Sequence, residues 1–201
     1  MKNILFRCDA SSNMGSGHVI RCRTLARQLA KKGHQVLFIC RSQSGDLIKL
    51  LKDEFEVIEL RNQPLSPACG LTGREQYSAW LGCDQQEDAK ESAEKIKQLK
   101  TNEIDWIVID HYGIDKTWVK VLKDNLGDQA KFKVLVIDDL ADREFDADIL
   151  IDQNYFGEKI RNRYVKLVNN DCLCLLGPSY ALLGDKYSKL NKSLPTRTEI
   201  K

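Results

Sequence analysis

The 201-residue sequence has no apolar run near the roughly 20 residues needed to cross a bilayer, and its start, MKNILFRCD, is too short for the apolar region of a secretory signal. A cytoplasmic protein without a membrane span is therefore expected. An excess of one charge is also missing: Lys plus Arg outnumber Asp plus Glu by only two, 31 against 29, and the two signs are interspersed. That leaves no electrostatic footprint for nucleic acid and points to a small soluble ligand. The seven cysteines are odd in number and include no CxxC, which disfavours a disulfide framework or a zinc site. Reduced, buried thiols are expected instead, with Cys172 and Cys174 on opposite faces of a strand. His18, His34 and His111 lack metal-ligand spacing, and His34 falls at the amino edge of the expected sheet, so neither a metal nor another cofactor is expected.

Two nucleotide-binding signatures are incomplete. The turn Gly15-Ser16-Gly17 opens like GxGxxG, but Ile20 occupies the third glycine position. No acidic residue closes the second strand, where Cys40 and Arg41 stand, so the ribose ligand of a dinucleotide site is absent. No GK[ST] follows the turn, which excludes a Walker A loop.

What is present is a repeated strand-then-helix pattern. The run NILFRCD breaks into SSNMGSGH and continues as VIRCRTLARQL, a strand, a turn and a helix. Val19, Cys22, Leu25, Ala26, Leu29 and Ala30 form an apolar stripe at helical spacing, closed by Lys31, Lys32 and Gly33. Further strands are expected at 35–40, 55–60, 104–110, 133–139 and 147–152, with a short edge strand at 172–176. Helices are expected near 46–51, from Asp84 to about Lys100, around Trp118, Val119 and Leu122, and as a basic segment at 158–167. Residues 61–82 show little periodicity and read as a long loop, functional or mobile, that could serve as a lid. The chain is long enough for one well-cored domain, 1–184, followed by a polar linker or tail, 185–201.

This order predicts a Rossmann-like, doubly wound parallel α/β sheet. The carboxyl ends of such strands border a ligand crevice, so Asp9, His18, Asp110, His111, Tyr112, Asp138 and Asp139 are expected to converge there. Gly15 and Gly17 are expected to permit positive φ and close backbone approach. His18 then lies at a helix start, beside the positive end of the dipole, a setting suited to a proton-accepting imidazole. An ordinary βα turn with a solvent-facing histidine, and a Tyr112 that merely packs, fit the same residues.

The blocks FRCDASSNMGSGHVIRCRTLARQL, IDHYGID, VIDDLADR, LIDQN and LGPSYALL occur in one order over nearly the whole chain to about Leu183. Together they resemble the nucleotide-sugar hydrolases of pseudaminic acid biosynthesis, which remove UDP from UDP-2,4-diacetamido-2,4,6-trideoxy-β-L-altropyranose. The resemblance implies the N-terminal half of a two-domain GT-B type protein. It makes His18 the residue that holds or activates water and Tyr112 a second active-site residue. Asp9, Ser11, Gly15, Ser16, Gly17, Arg21, His111 and Asn154 become candidate contacts to the UDP-sugar or their supports. It also implies a C-terminal nucleotide-binding domain, in cis or in trans, that supplies most contacts to UDP. A GT-B glycosyltransferase half with a sugar or lipid acceptor, and a non-catalytic nucleotide-sugar binding module, are the alternatives.

Overall fold

The computed structural model describes residues 1–62, 71–99, 103–157, 162–184 and 187. Its centre is a sheet in which each strand is parallel to its neighbours, in the order β3-β2-β1-β4-β5-β6-β7. The strands are β1 (Asn3–Cys8), β2 (Gln35–Arg41), β3 (Glu56–Leu60), β4 (Trp106–Asp110), β5 (Lys133–Ile137), β6 (Ile149–Asp152) and β7 (Leu173–Leu176). Strand order reverses between β1 and β4, where Ile4 pairs with Trp106 and Cys8 with Asp110. In a parallel α/β sheet this reversal opens a crevice at the carboxyl edge.

Both sheet faces are apolar, and helices pack on each, as parallel pairing through crossovers requires. On one face α1 (Gly17–Lys31) and α2 (Ile48–Lys52) set Val19, Cys22, Ala26, Ile48 and Leu51 against Ile4, Phe6, Phe38 and Val108. On the other, α4 (Gln85–Lys97) and α5 (Lys116–Leu126) set Ala89, Ala93, Ile96, Trp118, Val119 and Leu122 against Leu5, Ile39, Ile107 and Val134. The alternation Ile4, Leu5, Phe6 thus sends successive side chains to different layers. Asp84 caps α4 by accepting from the Gln86 N–H at 2.8 Å, and Asp115 caps α5 by accepting from the Thr117 N–H at 2.7 Å.

Several expectations need correction. The stretch 61–82 contains a helix, α3 (Gly73–Ala79), while 63–70 lie outside the described residues. It buries none of its residues, so it carries no apolar stripe for a periodicity reading to find. The expected basic helix at 158–167 is not one where it is described: 162–167 form turns, folded around the buried Tyr164. Cys172 and Cys174 both pack on the core cluster of the α4–α5 face, since residues two apart on a strand share a face. The expected tail falls outside the described residues save Tyr187.

Candidate active site

The turn after β1 places its residues through local backbone bonds. Ser11 Oγ accepts from the Met14 N–H at 3.1 Å, and Ser11 O accepts from the Gly15 N–H at 2.7 Å. Gly15 takes φ +82°, a left-handed conformation that favours glycine. Gly17 does not need one: it is the first residue of α1, and nothing stands within 4 Å of where a Cβ would sit. The expectation of positive φ therefore holds for Gly15 and is corrected for Gly17. Ser16 occupies the N-cap without a side-chain cap bond, and the first turn of α1 has no acidic residue. Ser16 and Gly17 are exposed.

One helical turn brings His18 and Arg21 to the same face of α1, opposite the end of β4. His18 Nδ1 is 2.6 Å from Asp110 Oδ1. Arg21 grips the same carboxylate with both arms, Nε to Oδ2 at 2.5 Å and Nη2 to Oδ1 at 2.6 Å. Arg21 Nη1 also reaches Asp139 Oδ2 at 3.2 Å, and Asp139 Oδ1 accepts from the Tyr112 hydroxyl at 2.6 Å. The Tyr112 and His18 rings meet edge-on, 4.4 Å between centroids. His18, Asp110, Arg21, Asp139 and Tyr112 thus form one connected cluster around the crevice.

The charges in this cluster are settled by their partners. Burial pushes the Asp110 carboxyl up, but His18 and Arg21 outweigh it and hold it well below the usual carboxylate range. A carboxylate can only accept, so Nδ1 of His18 carries the shared hydrogen and Nε2 is left as the other ring nitrogen. Burial and the bond to Asp139 push the Tyr112 phenol above its ordinary value, so it remains a donor.

The expected convergence of strand-end carboxylates is therefore partial. Asp9 turns away from the crevice into a buried ionic network, accepting from Arg7 Nη1 and from the Arg41 N–H, both at 2.7 Å. Arg7 and Arg41 both bond Asp88 on α4, to which Trp118 Nε1 also donates at 2.8 Å. His111 is buried beside it: its Nδ1 accepts from the Gly113 N–H at 2.9 Å, and its Nε2 lies 3.5 Å from Asp9 Oδ2. Burial and the nearby Arg7 hold the His111 imidazole well below its ordinary value. With side chains 0% exposed, Asp9 and His111 offer a ligand no surface and stand here as supports rather than direct contacts. Ser11 is buried, as is His18, and its hydroxyl is engaged by the Met14 N–H, so it shapes the turn.

Asp138 likewise supports structure. Its Oδ2 accepts from the Leu140 and Ala141 N–H groups and lies 3.0 Å from the Tyr164 hydroxyl, which also approaches Asp152 at 3.1 Å. Asn154 follows β6, two strands from β4, with its N–H bonded to Asp152 Oδ1 at 3.0 Å; it is half-buried. Arg21, expected as a substrate contact, has its guanidinium committed to Asp110 and Asp139. Asp110 and Asp139 were legible as strand-end acids, but their partnership with His18 and Tyr112 was not. Tyr77 and Trp80, which pack around Tyr112, lie in the stretch that the sequence showed only as loop.

Among the described residues no group of three His, Cys, Asp or Glu is arranged to hold a metal ion, and no helix is long and apolar enough to cross a membrane.

The fold and this site define a Rossmann-like α/β protein with a carboxylate-seated histidine at the β1–β4 reversal. No family model matches the chain. It is 28% identical over 184 residues to the UDP-2,4-diacetamido-2,4,6-trideoxy-β-L-altropyranose hydrolase of Campylobacter jejuni, a match covering 92% of this chain and 53% of that protein. It is 24% identical over 194 residues to an uncharacterized protein of Methanocaldococcus jannaschii, covering 96% of this chain and 33% of the other. The chain therefore spans about half or less of the length of these relatives. Similar solved structures include Acinetobacter baumannii MurG, with 16% identity, TM-score 0.48, and coverage of 78% of this chain and 42% of that one. Another is TcCGT1 in complex with UDP, with 12% identity, TM-score 0.47, and coverage of 97% and 56%.

Proposed function

We propose that this chain is the water-handling N-terminal half of a GT-B type nucleotide-sugar hydrolase, which splits a UDP-linked 2,4-diacetamido-2,4,6-trideoxy sugar into UDP and free sugar in pseudaminic acid biosynthesis. The observation that carries it is His18 seated on Asp110 through Nδ1, at the crevice and beside Tyr112. The likeness to the Campylobacter hydrolase over 92% of the chain supports the substrate class.

In this reading His18 Nε2 accepts a proton from water as the water oxygen attacks the anomeric carbon. The bond from that carbon to the phosphate oxygen breaks, and the electron pair leaves with UDP. Asp110 fixes the imidazole tautomer and faces the positive charge that forms on it. Arg21 holds Asp110 in place, and Tyr112, tied to Asp139, flanks the imidazole. The uncapped first turn of α1, with Ser16 and Gly17 exposed, offers backbone N–H groups to the diphosphate. A C-terminal nucleotide-binding domain, in cis or in trans, would hold the uridine.

The test is UDP release from the UDP-linked diacetamido sugar by the chain combined with such a domain. His18→Ala is expected to lower kcat by about 10²–10⁴-fold with KM little changed. An undiminished rate would remove His18 from the chemistry, and release that depends on an added sugar or lipid acceptor would favour a transferase.

A further inference from the structure

Beside the cluster stands a group of aromatic side chains that the water-handling chemistry does not use. Tyr77 and Trp80 meet at 5.0 Å between ring centroids, and both lie against Tyr112, at 5.3 and 6.3 Å. Tyr112 in turn touches His18. The aromatic surface is therefore continuous from the imidazole through Tyr112 to α3 and the residue that follows it. Tyr77, Trp80 and Tyr112 are all half-buried.

The attachment of α3 is unusual for a helix. It buries no residue in the core. Besides the aromatic contacts, polar bonds hold it: Arg74 Nη1 donates to Tyr112 O, and Gln43 Nε2 donates to Trp80 O at 2.9 Å. Core packing thus does not account for two large aromatic residues placed together at this point. Aromatic faces are well suited to the C–H and methyl surface of a sugar, and poorly suited to hydroxyls that would lose water without gaining a partner.

We infer that Tyr77 and Trp80, beside Tyr112, form an aromatic wall that reads the methyl-bearing face of an N-acetylated, 6-deoxy sugar held at His18. The inference rests on the hydrolase reading above and adds its selectivity. The wall is one aromatic ring away from the imidazole, hence next to the reacting sugar. The uracil base is separated from that sugar by ribose and two phosphates. Two acetamido methyls and a C6 methyl offer apolar surface that a fully hydroxylated hexose lacks.

The isotope-labelled chain tests this by NMR, with free 2,4-diacetamido-2,4,6-trideoxy-L-altrose and free L-altrose as probes. The diacetamido sugar is expected to shift the Trp80 indole N–H and the His18 ring signals together, while the indoles of the buried Trp118 and of Trp106 at the opposite end of β4 stay still. It is expected to bind at least about tenfold more tightly than altrose. Tyr77→Ala and Trp80→Ala should bring the two affinities together by weakening only the diacetamido sugar, and Trp80→Phe should restore part of the preference. Tyr77 lies on α3 and Trp80 directly after it, and neither belongs to the buried core, so the variants retain the fold. Movement of His18 without Trp80, or a preference that survives both alanine variants, overturns the wall and leaves the hydrolase reading in place. Absence of any shift at His18 with either sugar overturns both.

Discussion

Asp88→Asn is expected to remove about 3–5 kcal/mol of folding stability, although Asp88 touches no ligand. The side chain is fully buried and joins three elements. It accepts from Arg7 Nε and Nη2 at 3.0 and 2.7 Å, from Arg41 Nε and Nη2 at 3.2 and 2.8 Å, and from Trp118 Nε1 at 2.8 Å. Asparagine keeps the shape but removes the charge and turns an N–H₂ toward one guanidinium. Among the described residues, Arg7 would retain only Asp9 as a counter-charge, and Arg41 only Glu91. Against a domain stability of about 5–15 kcal/mol the loss is large. The same network gives a pH signature. Burial pushes the Asp88 carboxyl up, but Arg7 and Arg41 outweigh it and hold it at about 2, below its ordinary 3.8. A carboxyl depressed in the folded state stabilises above its unfolded value and loses that contribution as pH falls toward the folded one. The window is therefore about pH 4 down to 2, and the size about 2 kcal/mol. Urea unfolding followed by tryptophan fluorescence, at neutral pH and near about pH 3, measures both effects. A loss below about 1 kcal/mol at neutral pH would refute the reasoning. So would a gap between wild type and Asp88→Asn that fails to narrow in acid.

Two further outcomes follow from the site and the core. Asp110→Asn should abolish the downfield Nδ1–H proton resonance expected of a 2.6 Å His18–Asp110 bond and lower turnover by about 10²-fold or more, with KM little changed. Retention of that resonance would show that His18 is oriented by something else. The thiols of Cys8, Cys22, Cys40 and Cys83 are buried, and burial pushes Cys22 and Cys83 up to about 11. A disulfide reagent near neutral pH should therefore label these four only after denaturation, which mass spectrometry of native and unfolded samples checks. Rapid native labelling of any of them would contradict the packing.

The elements legible in the sequence were those that bury a regular face. The strands at β1, β2 and β4 were visible because parallel strands covered on both sides are continuous apolar runs. The stripe Val19, Cys22, Ala26 marked α1 because it packs on that sheet. By contrast α3 has no buried face and left no periodic mark. The carboxylates at strand ends looked equivalent because position along a strand is local information. Their fates differ because Asp110 and Asp139 meet α1 and Tyr112, Asp9 meets Arg7 and Arg41, and Asp138 meets the turn after β5.

By itself, then, the sequence determined a parallel α/β sheet with a glycine turn and a histidine at the start of the first helix, since periodicity, turn chemistry and element order are properties of neighbouring residues. The tertiary structure decided what that histidine meets. His18 and Asp110 are 92 positions apart, and Arg7 and Asp88 are 81 apart. Only the β1–β4 pairing and the packing of α4 and α5 on the sheet bring such groups within hydrogen-bond distance, separating the acid that orients an imidazole from the acids that hold the fold.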